Sequence, residues 1–414
     1  MNANRVIYLD NNATTRVAPE VRDAMLPFFS DFYGNPSSIH TFGGQVKRHV
    51  EKAREELAAL LGAQPDEIVF TAGGSESDNQ AIRGVLEALG GKKRHLVTSR
   101  VEHPAVRSLG QHLSKIGYRV TEIGVDRDGA LDIDELSAAI GDDTALVSIM
   151  WANNETGVLF PIEKIGDLCR ARGVLFHTDA VQAAGKVPID LSRMPVDLLS
   201  LSGHKLHAPK GIGALYVRRG TPLIPLIIGG HQERGRRAGT ENVPGIVGLG
   251  TAARLARENL DREAKELSEL RDRLERGLLD RCRGARVNGK NRLPNTLNIS
   301  FEFIEGESIL LHLDELGIAA SSGSACTSGS LEPSHVLRAM GVPFTSAHGS
   351  VRFSLSRYNT REEIDFVVEH MPRIVERLRA LSPFVPENNQ TRQWQGSAGN
   401  PSCAPGCGRC ASDH

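Results

Sequence analysis

Five small groups of polar residues carry the chemistry in this chain: Gly74-Ser75, Glu102-His103, Asn153-Asn154, Asp179 with Gln182, and Ser202-Gly203-His204-Lys205. Each stands just after a short apolar run. In open α/β sheets, ligand-binding groups gather at the carboxyl ends of the strands. A purely structural sheet has no use for five polar strand ends, so the set reads as one ligand site. Gly73-Gly74-Ser75 falls between a strand and a helix, where backbone N–H groups and the helix dipole can cradle a phosphate. A lysine at a strand end is ordinarily a solvated charge. Lys205, beside a small-residue phosphate loop and with Asp179 at a neighbouring strand end, is what a Schiff-base cofactor requires. The same residues have plainer readings: a helix N-cap for Asp179 or Ser75, a turn cap for His103, an exposed strand position for Arg352.

Cys326 is separate from this set. Ser321, Ser322, Gly323, Ser324, Thr327 and Ser328 surround it. That flank is too polar for a core strand, so the sequence predicts a thiol on a mobile loop. Most lone cysteines are buried and inert. A reactive one needs a local base or positive field to supply thiolate, and His103 is one candidate partner.

The elements that must position these residues alternate. Apolar runs over 66–70, 95–98, 145–150, 174–177, 198–201 and 213–217 predict strands, and helical periodicity fills 75–89, 104–116 and 161–172. Strands of this length separated by helices predict a mostly parallel, seven-stranded sheet covered on both faces, an α/β fold. A long charged helix over 248–279 leads to a smaller α+β part with strands over 295–301, 318–320 and 351–355 and helices over 304–316 and 360–381. The expected organisation is an N-terminal arm (1–15), a large domain (16–258), a small domain carrying the Cys326 loop (259–385) and a flexible tail (386–414).

The chain has 414 residues, 40% of them hydrophobic, with a formal net charge of −1. That balance predicts neither a nucleic-acid nor a membrane partner. No apolar run is long enough to span a bilayer, and residues 1–10 contain no apolar signal core, so the expected location is the cytoplasm. Six cysteines, three single and three crowded near the end, do not form a disulfide framework.

Phe176-His177-Thr178-Asp179-Ala180-Val181-Gln182 followed by Ser202-Gly203-His204-Lys205 resembles the aminotransferase class V group of fold-type I pyridoxal-phosphate enzymes. Ser321-Ser322-Gly323-Ser324-Ala325-Cys326-Thr327-Ser328 narrows the resemblance to cysteine desulfurases. It runs from Tyr8-Leu9-Asp10-Asn11-Asn12-Ala13-Thr14-Thr15 to about residue 381. Met150–Gly157 and His231–Thr240 look nearest to the NifS type, which serves nitrogenase cluster assembly.

The resemblance implies a set of roles. Lys205 would hold pyridoxal 5'-phosphate and move protons on the substrate carbon. Asp179 would pair with the ring nitrogen, Gln182 would bond the phenolic oxygen, His103 would stack on the ring and move protons, and Asn154 would lie at the ring edge near the substrate. Gly74, Ser75, Ser202, His204 and Thr240 would hold the phosphate, with Thr240 supplied across a homodimer. Arg352 would bind the substrate carboxylate, where its planar fork suits two oxygens. Cys326 would attack the sulfur of L-cysteine, keep it as a persulfide and release alanine. It is also a candidate transient ligand of an iron–sulfur cluster. The implied acceptor is an iron–sulfur scaffold protein of the NifU kind. An aminotransferase or a selenocysteine lyase on the same scaffold is the alternative enzyme, and the Cys326 loop disfavours the aminotransferase. A non-catalytic scaffold would lack Lys205, Asp179 or Cys326, and all three are present.

The tail departs from the family pattern. Cys403, Cys407 and Cys410 have a spacing that suits a metal or iron–sulfur cluster with His414 as a fourth ligand, and would equally suit sulfur acceptance from Cys326. An unstructured thiol-bearing tail is the plain alternative.

Overall fold

The alternating apolar runs become strands whose successive side chains face opposite sides of one sheet. Val147, Leu199 and Tyr216 enter one apolar cluster, while their neighbours Leu146, Leu198 and Leu215 enter another. This period of two along fully buried strands is what demands helices on both faces. The structure is a computed structural model that describes residues 6–322 and 333–382. Cys326, Cys403, Cys407, Cys410 and His414 lie outside the described residues.

The described chain opens with β1 (Ile7–Tyr8), α1 (Pro19–Met25), α2 (Pro27–Ser30) and α3 (Thr41–Leu61). It continues through β2 (Ile68–Thr71), α4 (Gly74–Ala88), β3 (His95–Ser99), α5 (Pro104–Lys115), β4 (Arg119–Ile123), α6 (Ile133–Ala139), β5 (Thr144–Ser148), α7 (Ile162–Ala171), β6 (Leu175–Asp179), β7 (Leu198–Ser202) and β8 (Gly213–Val217). Then come α8 (Val243–Arg281), β9 (Ala285–Val287), β10 (Thr296–Phe301), α9 (Gly306–Glu315), β11 (Ile318–Ala319), β12 (Ser321–Ser322), α10 (His335–Ala339), α11 (Phe344–His348), β13 (Ser350–Ser354) and α12 (Arg361–Leu381).

The main sheet has seven strands in the order β2-β8-β7-β6-β5-β3-β4. All neighbours are parallel except β8, which runs antiparallel to both β2 and β7. This is the expected α/β fold. The stretch before β2, to which sequence periodicity assigns no element, forms α1, α2 and α3. Helix α3 packs on α8, and Gly250 permits the approach: a Cβ there would lie 2.5 Å from Ala53 Cα. The edge strand β4 is mostly unburied, so its apolar pattern is weak.

Helix α8 runs unbroken through residues 258 and 259. Asn242 caps its first turn by accepting from Gly245 N at 3.2 Å. Its C-terminal half packs Leu267, Leu274 and Leu278 into a third apolar cluster with β10, β13 and α12. There β12-β13-β10-β9 form an antiparallel four-stranded sheet. The N-terminal arm joins this part: β1 pairs in parallel with β11, and Leu9 is fully buried in the same cluster. Among the described residues, no helix is long and apolar enough to cross a membrane.

Candidate active site

The parallel strands deliver their ends to one edge. Asp179 ends β6, Ser202 ends β7, His103 caps α5 just beyond β3, and Gly74 opens α4 just beyond β2. Lys205 follows Ser202 on a single turn of 3-10 helix. Asp179 and Gln182 are buried, as are Ser202 and Arg352.

Lys205 Nζ donates to the backbone carbonyls of Asn12 and, at 2.7 Å, Ala13. Gln182 Nε2 donates to the same Asn12 carbonyl at 3.0 Å. The arm is fixed over the site by two further contacts: Thr15 N donates to the His204 carbonyl at 2.9 Å, and His204 Nδ1 meets Thr14 Oγ1 at 3.1 Å. Asn12 Nδ2 reaches across to the Asn154 carbonyl at 3.2 Å and Thr296 Oγ1 at 2.9 Å.

Arg352, on β13, is drawn to the same place from the four-stranded sheet. Its Nη1 donates to the Asn154 carbonyl at 3.1 Å and its Nη2 pairs with Asp10 Oδ1 at 2.7 Å. At 4% exposure it is not the exposed strand arginine that the sequence also allowed. Its Nε is buried with no hydrogen-bond partner among the described residues, a donor that an anionic substrate group would satisfy.

One plain reading holds alongside the site: His103 does cap α5, accepting from Ala105 N through Nδ1 at 3.2 Å. Asp179 is not a helix N-cap: it ends β6 and is followed by a turn, in which its Oδ1 accepts from Val181 N at 2.9 Å. Both side chains retain polar atoms beyond these contacts, so the contacts and ligand binding are compatible. Ser75 is not an N-cap: Gly73 occupies that position, and α4 starts with no side-chain cap.

Burial governs the electrostatics. It pushes the Asp179 carboxyl up from its ordinary range, against the pull of His103 and Lys205. It lowers His103, with Asp179 raising it and Lys205 lowering it further. His204 falls to about 4 through burial and the charges of Lys205 and Lys210. Beneath the strand ends, Glu102 is pushed up to about 8 by burial, and Asp78 is raised well above its usual value by burial and then by Asp179. His177 is pushed down to about 3, so it is neutral, and its 3.7 Å approach to Asp78 is not an ion pair. Instead His177 ties three strands together, meeting Ser148 Oγ at 2.8 Å and Ser200 Oγ at 2.9 Å.

The residues fit pyridoxal phosphate by two local tests. Asp179 is a buried carboxyl whose ionisation a cationic ring nitrogen would restore. The α4 start is a close-approach cradle: a Cβ on Gly74 would lie 2.7 Å from Val181 Cγ2, so only glycine lets the helix N-terminus sit against the turn after β6.

Residues 7–367 match the family model described as aminotransferase class-V. The chain is similar to a cysteine desulfurase of Trichormus azollae, at 62% identity over 92% of this chain and 95% of that one.

The chain belongs to the cysteine desulfurases of the aminotransferase class-V family.

Among its relatives is the cysteine desulfurase NifS of Azotobacter vinelandii, 58% identical over 91% of this chain and 94% of that one. Among solved structures, this desulfurase is similar to a NifS-like protein with a TM-score of 0.85 and 42% identity, covering 90% of this chain and 100% of that one.

Within the desulfurase, Lys205, Asp179, Gln182, His103, Asn154, His204, Ser202 and Arg352 gather at one edge. Thr240 is exposed and lines a different cavity, with Thr71, Ala72, Gly239 and Asn242. Sequence reasoning assigned no role to Asp10, Asn12, Lys186 or Glu155. The Tyr8–Thr15 motif flagged the first two. Glu155 falls within the Met150–Gly157 motif, whereas Lys186 carries no local signal: a lysine after a turn looks solvated until the fold half-buries it. Cys169 and Cys282 are buried core thiols, pushed up to about 12 and about 11. Among the described residues, no group of three or more His, Cys, Asp or Glu side chains could hold a metal ion.

Proposed function

We propose that this protein is a pyridoxal-phosphate-dependent cysteine desulfurase that converts L-cysteine to L-alanine and holds the released sulfur on Cys326 as a persulfide. The observation that carries the reading is the convergence of Lys205, Asp179 and His103, three mutually interacting ionisable groups from three chain segments, at one sheet edge. When bound, pyridoxal phosphate supplies an electron sink conjugated to the substrate's α-carbon.

The chain's own residues do the rest. Lys205 would hold the cofactor through its amine and, once the substrate amine has displaced it, would take the α-proton. Asp179 would keep the ring nitrogen protonated, and Gln182 would donate to the phenolic oxygen. The α4 amides, with Ser75, Ser202 and His204, would hold the phosphate. His204, neutral at physiological pH, adds a donor rather than a charge. Arg352 takes the substrate carboxylate with its Nε and one Nη, while Asp10 fixes the other arm of the fork. His103 is neutral at physiological pH and can accept the thiol proton of Cys326 or of substrate. The Cys326 thiolate forms an S–S bond with the substrate sulfur as the Cβ–S bond breaks. The bonding pair passes to the carbon side, which takes a proton to become alanine.

The chain is anchored at Ser334 and His335. Ser334 Oγ donates to buried Glu155, and His335 Nε2 meets the Glu102 carbonyl at 3.0 Å. We extend the proposal to a cytoplasmic homodimer in which Thr240 reaches the partner's phosphate site, and to delivery of sulfur to an iron–sulfur scaffold protein, with nitrogenase cluster assembly favoured by the NifS likeness. The tail cysteines, Cys403, Cys407 and Cys410, remain a proposed metal or sulfur site. Metal analysis of the chain with and without residues 386–414 tests it, and equal metal content removes it.

The first experiment counts alanine and sulfide formed from L-cysteine by the protein with pyridoxal phosphate and a thiol reductant. Equal amounts are expected. Cofactor absorbance without alanine would overturn the reaction and point to transamination. Cys326→Ala is expected to keep the absorbance band and lose desulfuration.

A further inference from the structure

A second amine stands beside the Lys205 site. Lys186 Nζ donates to the Gln182 carbonyl at 3.0 Å and lies 3.5 Å from Gln182 Oε1. The other end of that amide, Nε2, donates to the Asn12 carbonyl, which also receives Lys205. The amide therefore has one favourable orientation: oxygen toward Lys186, NH2 toward Asn12 and Lys205. The flipped amide would set NH2 against an amine donor and one carbonyl oxygen against another.

Lys186 and Lys205 line the same cavity, together with Thr15, His207, Glu263 and Arg357. Burial first, and then repulsion from Lys205, pushes Lys186 down to about 7. Lys186 in turn disfavours protonation of His204 and His207. Glu263 and Arg357 pair with each other at 3.2 Å. An amine placed beside a site that already holds one cation is costly to bury, so its position calls for a function.

We propose that Lys186 is a positioning residue for the cofactor, one that locks the Gln182 amide with its NH2 toward the site and adds positive field beside Lys205. This rests on the reading of Lys205 as the cofactor lysine. A firmly held donor to the phenolic oxygen and, below about pH 7 where Lys186 is protonated, a nearby cation both disfavour an extra proton on the Lys205 nitrogen. Losing them raises the pH at which the bound cofactor changes its visible absorbance.

The test is a pH titration of that absorbance in the holoenzyme for wild type, Lys186→Met, Lys186→Gln and Lys186→Arg, with circular dichroism to check folding. Lys186→Met is expected to raise the midpoint by about one pH unit, the size of a single lost charge or hydrogen-bond contribution. Lys186→Arg restores both donor and charge and returns the midpoint toward wild type. Lys186→Gln restores the donor alone and falls between. A wild-type midpoint in folded Lys186→Met overturns the proposal. Should the Met variant not fold, an unmoved midpoint in Lys186→Gln overturns it. A wild-type protein with no visible cofactor band defeats the Lys205 reading itself, an outcome distinct from a band whose midpoint does not move.

Discussion

The two main sheets bury polar residues in different ways. The seven-stranded sheet buries ionisable groups at and beneath its strand ends, Glu102, His177 and Asp179 among them, with Asp78 on α4 beside them. In the four-stranded sheet the buried polar residues are mostly neutral and satisfy one another, as where Asn288 Nδ2 donates to Asn298 Oδ1 and Ser300 Oγ, both at 2.7 Å. Arg352 is the charged group it contributes to the site. Strand direction explains the contrast. Parallel strands finish at the same edge, so their last residues converge without further design. Antiparallel strands finish at alternate edges, so Arg352 must project from within β13 and be held by Asp10 of the N-terminal arm and by Asn154 of the loop after β5. Charge is concentrated where convergence is built into the topology.

Removing the convergent cation tests this contrast most severely. Lys205→Ala is expected to lose the visible cofactor band and to lower alanine formation by about 10³-fold or more, as loss of a general acid–base group does. Retention of the band would show that the sheet edge is not the cofactor site. Arg352→Ala is next, at about 10²-fold in kcat/KM for L-cysteine, carried mainly by KM, because a charge-assisted pair is lost. Arg352→Lys should recover little, since an ammonium gathers its donors on one nitrogen and lacks the planar fork that spans Asp10, Asn154 and a bidentate carboxylate. An unchanged KM would detach the four-stranded sheet from the site.

Ser334→Ala probes the junction between the two parts. Ser334 Oγ accepts from Val336 N at 3.1 Å and Leu337 N at 3.2 Å while donating to Glu155. Its loss is expected to cost about 1–3 kcal/mol of stability in chemical denaturation, the range for stripping a cap and a buried acceptor's partner. The cofactor band should be unaffected.

The smallest effect belongs to Glu102. Its folded-state value of about 8 exceeds the ordinary 4.5, so its contribution to stability is fully present below about 4.5 and is lost as pH rises through about 8. Glu102→Gln keeps an acceptor for Ser99 and Met150 N and has no such loss. The fall in Tm between about pH 5 and about pH 9 should be smaller in the variant by about 2–4 °C. An equal fall would mean that the buried acid beneath the strand ends is not protonated.

Much of this was legible in the sequence. The strands β2, β3, β5, β6, β7 and β8 are apolar runs that need cover on both faces, and the polar strand ends followed from them. Helix α12 is marked by its capping box, Thr360 with Glu363. Helix α3 was not legible: its apolar face is interrupted by Lys, Arg and Glu and opens on Gly43-Gly44, so its burial depends on α8 arriving later in the chain.

By itself the sequence determined which residue types stand at which strand ends, because period, capping and glycine turns act over a few residues. Only the tertiary structure decided that Asp10 would hold Arg352, that one Asn12 carbonyl would receive both Gln182 and Lys205, and that Glu155 would be buried and Lys186 half-buried as titratable groups. Those contacts join segments up to hundreds of residues apart, and a charged side chain far from its partner in sequence looks the same whether it will meet water or another residue.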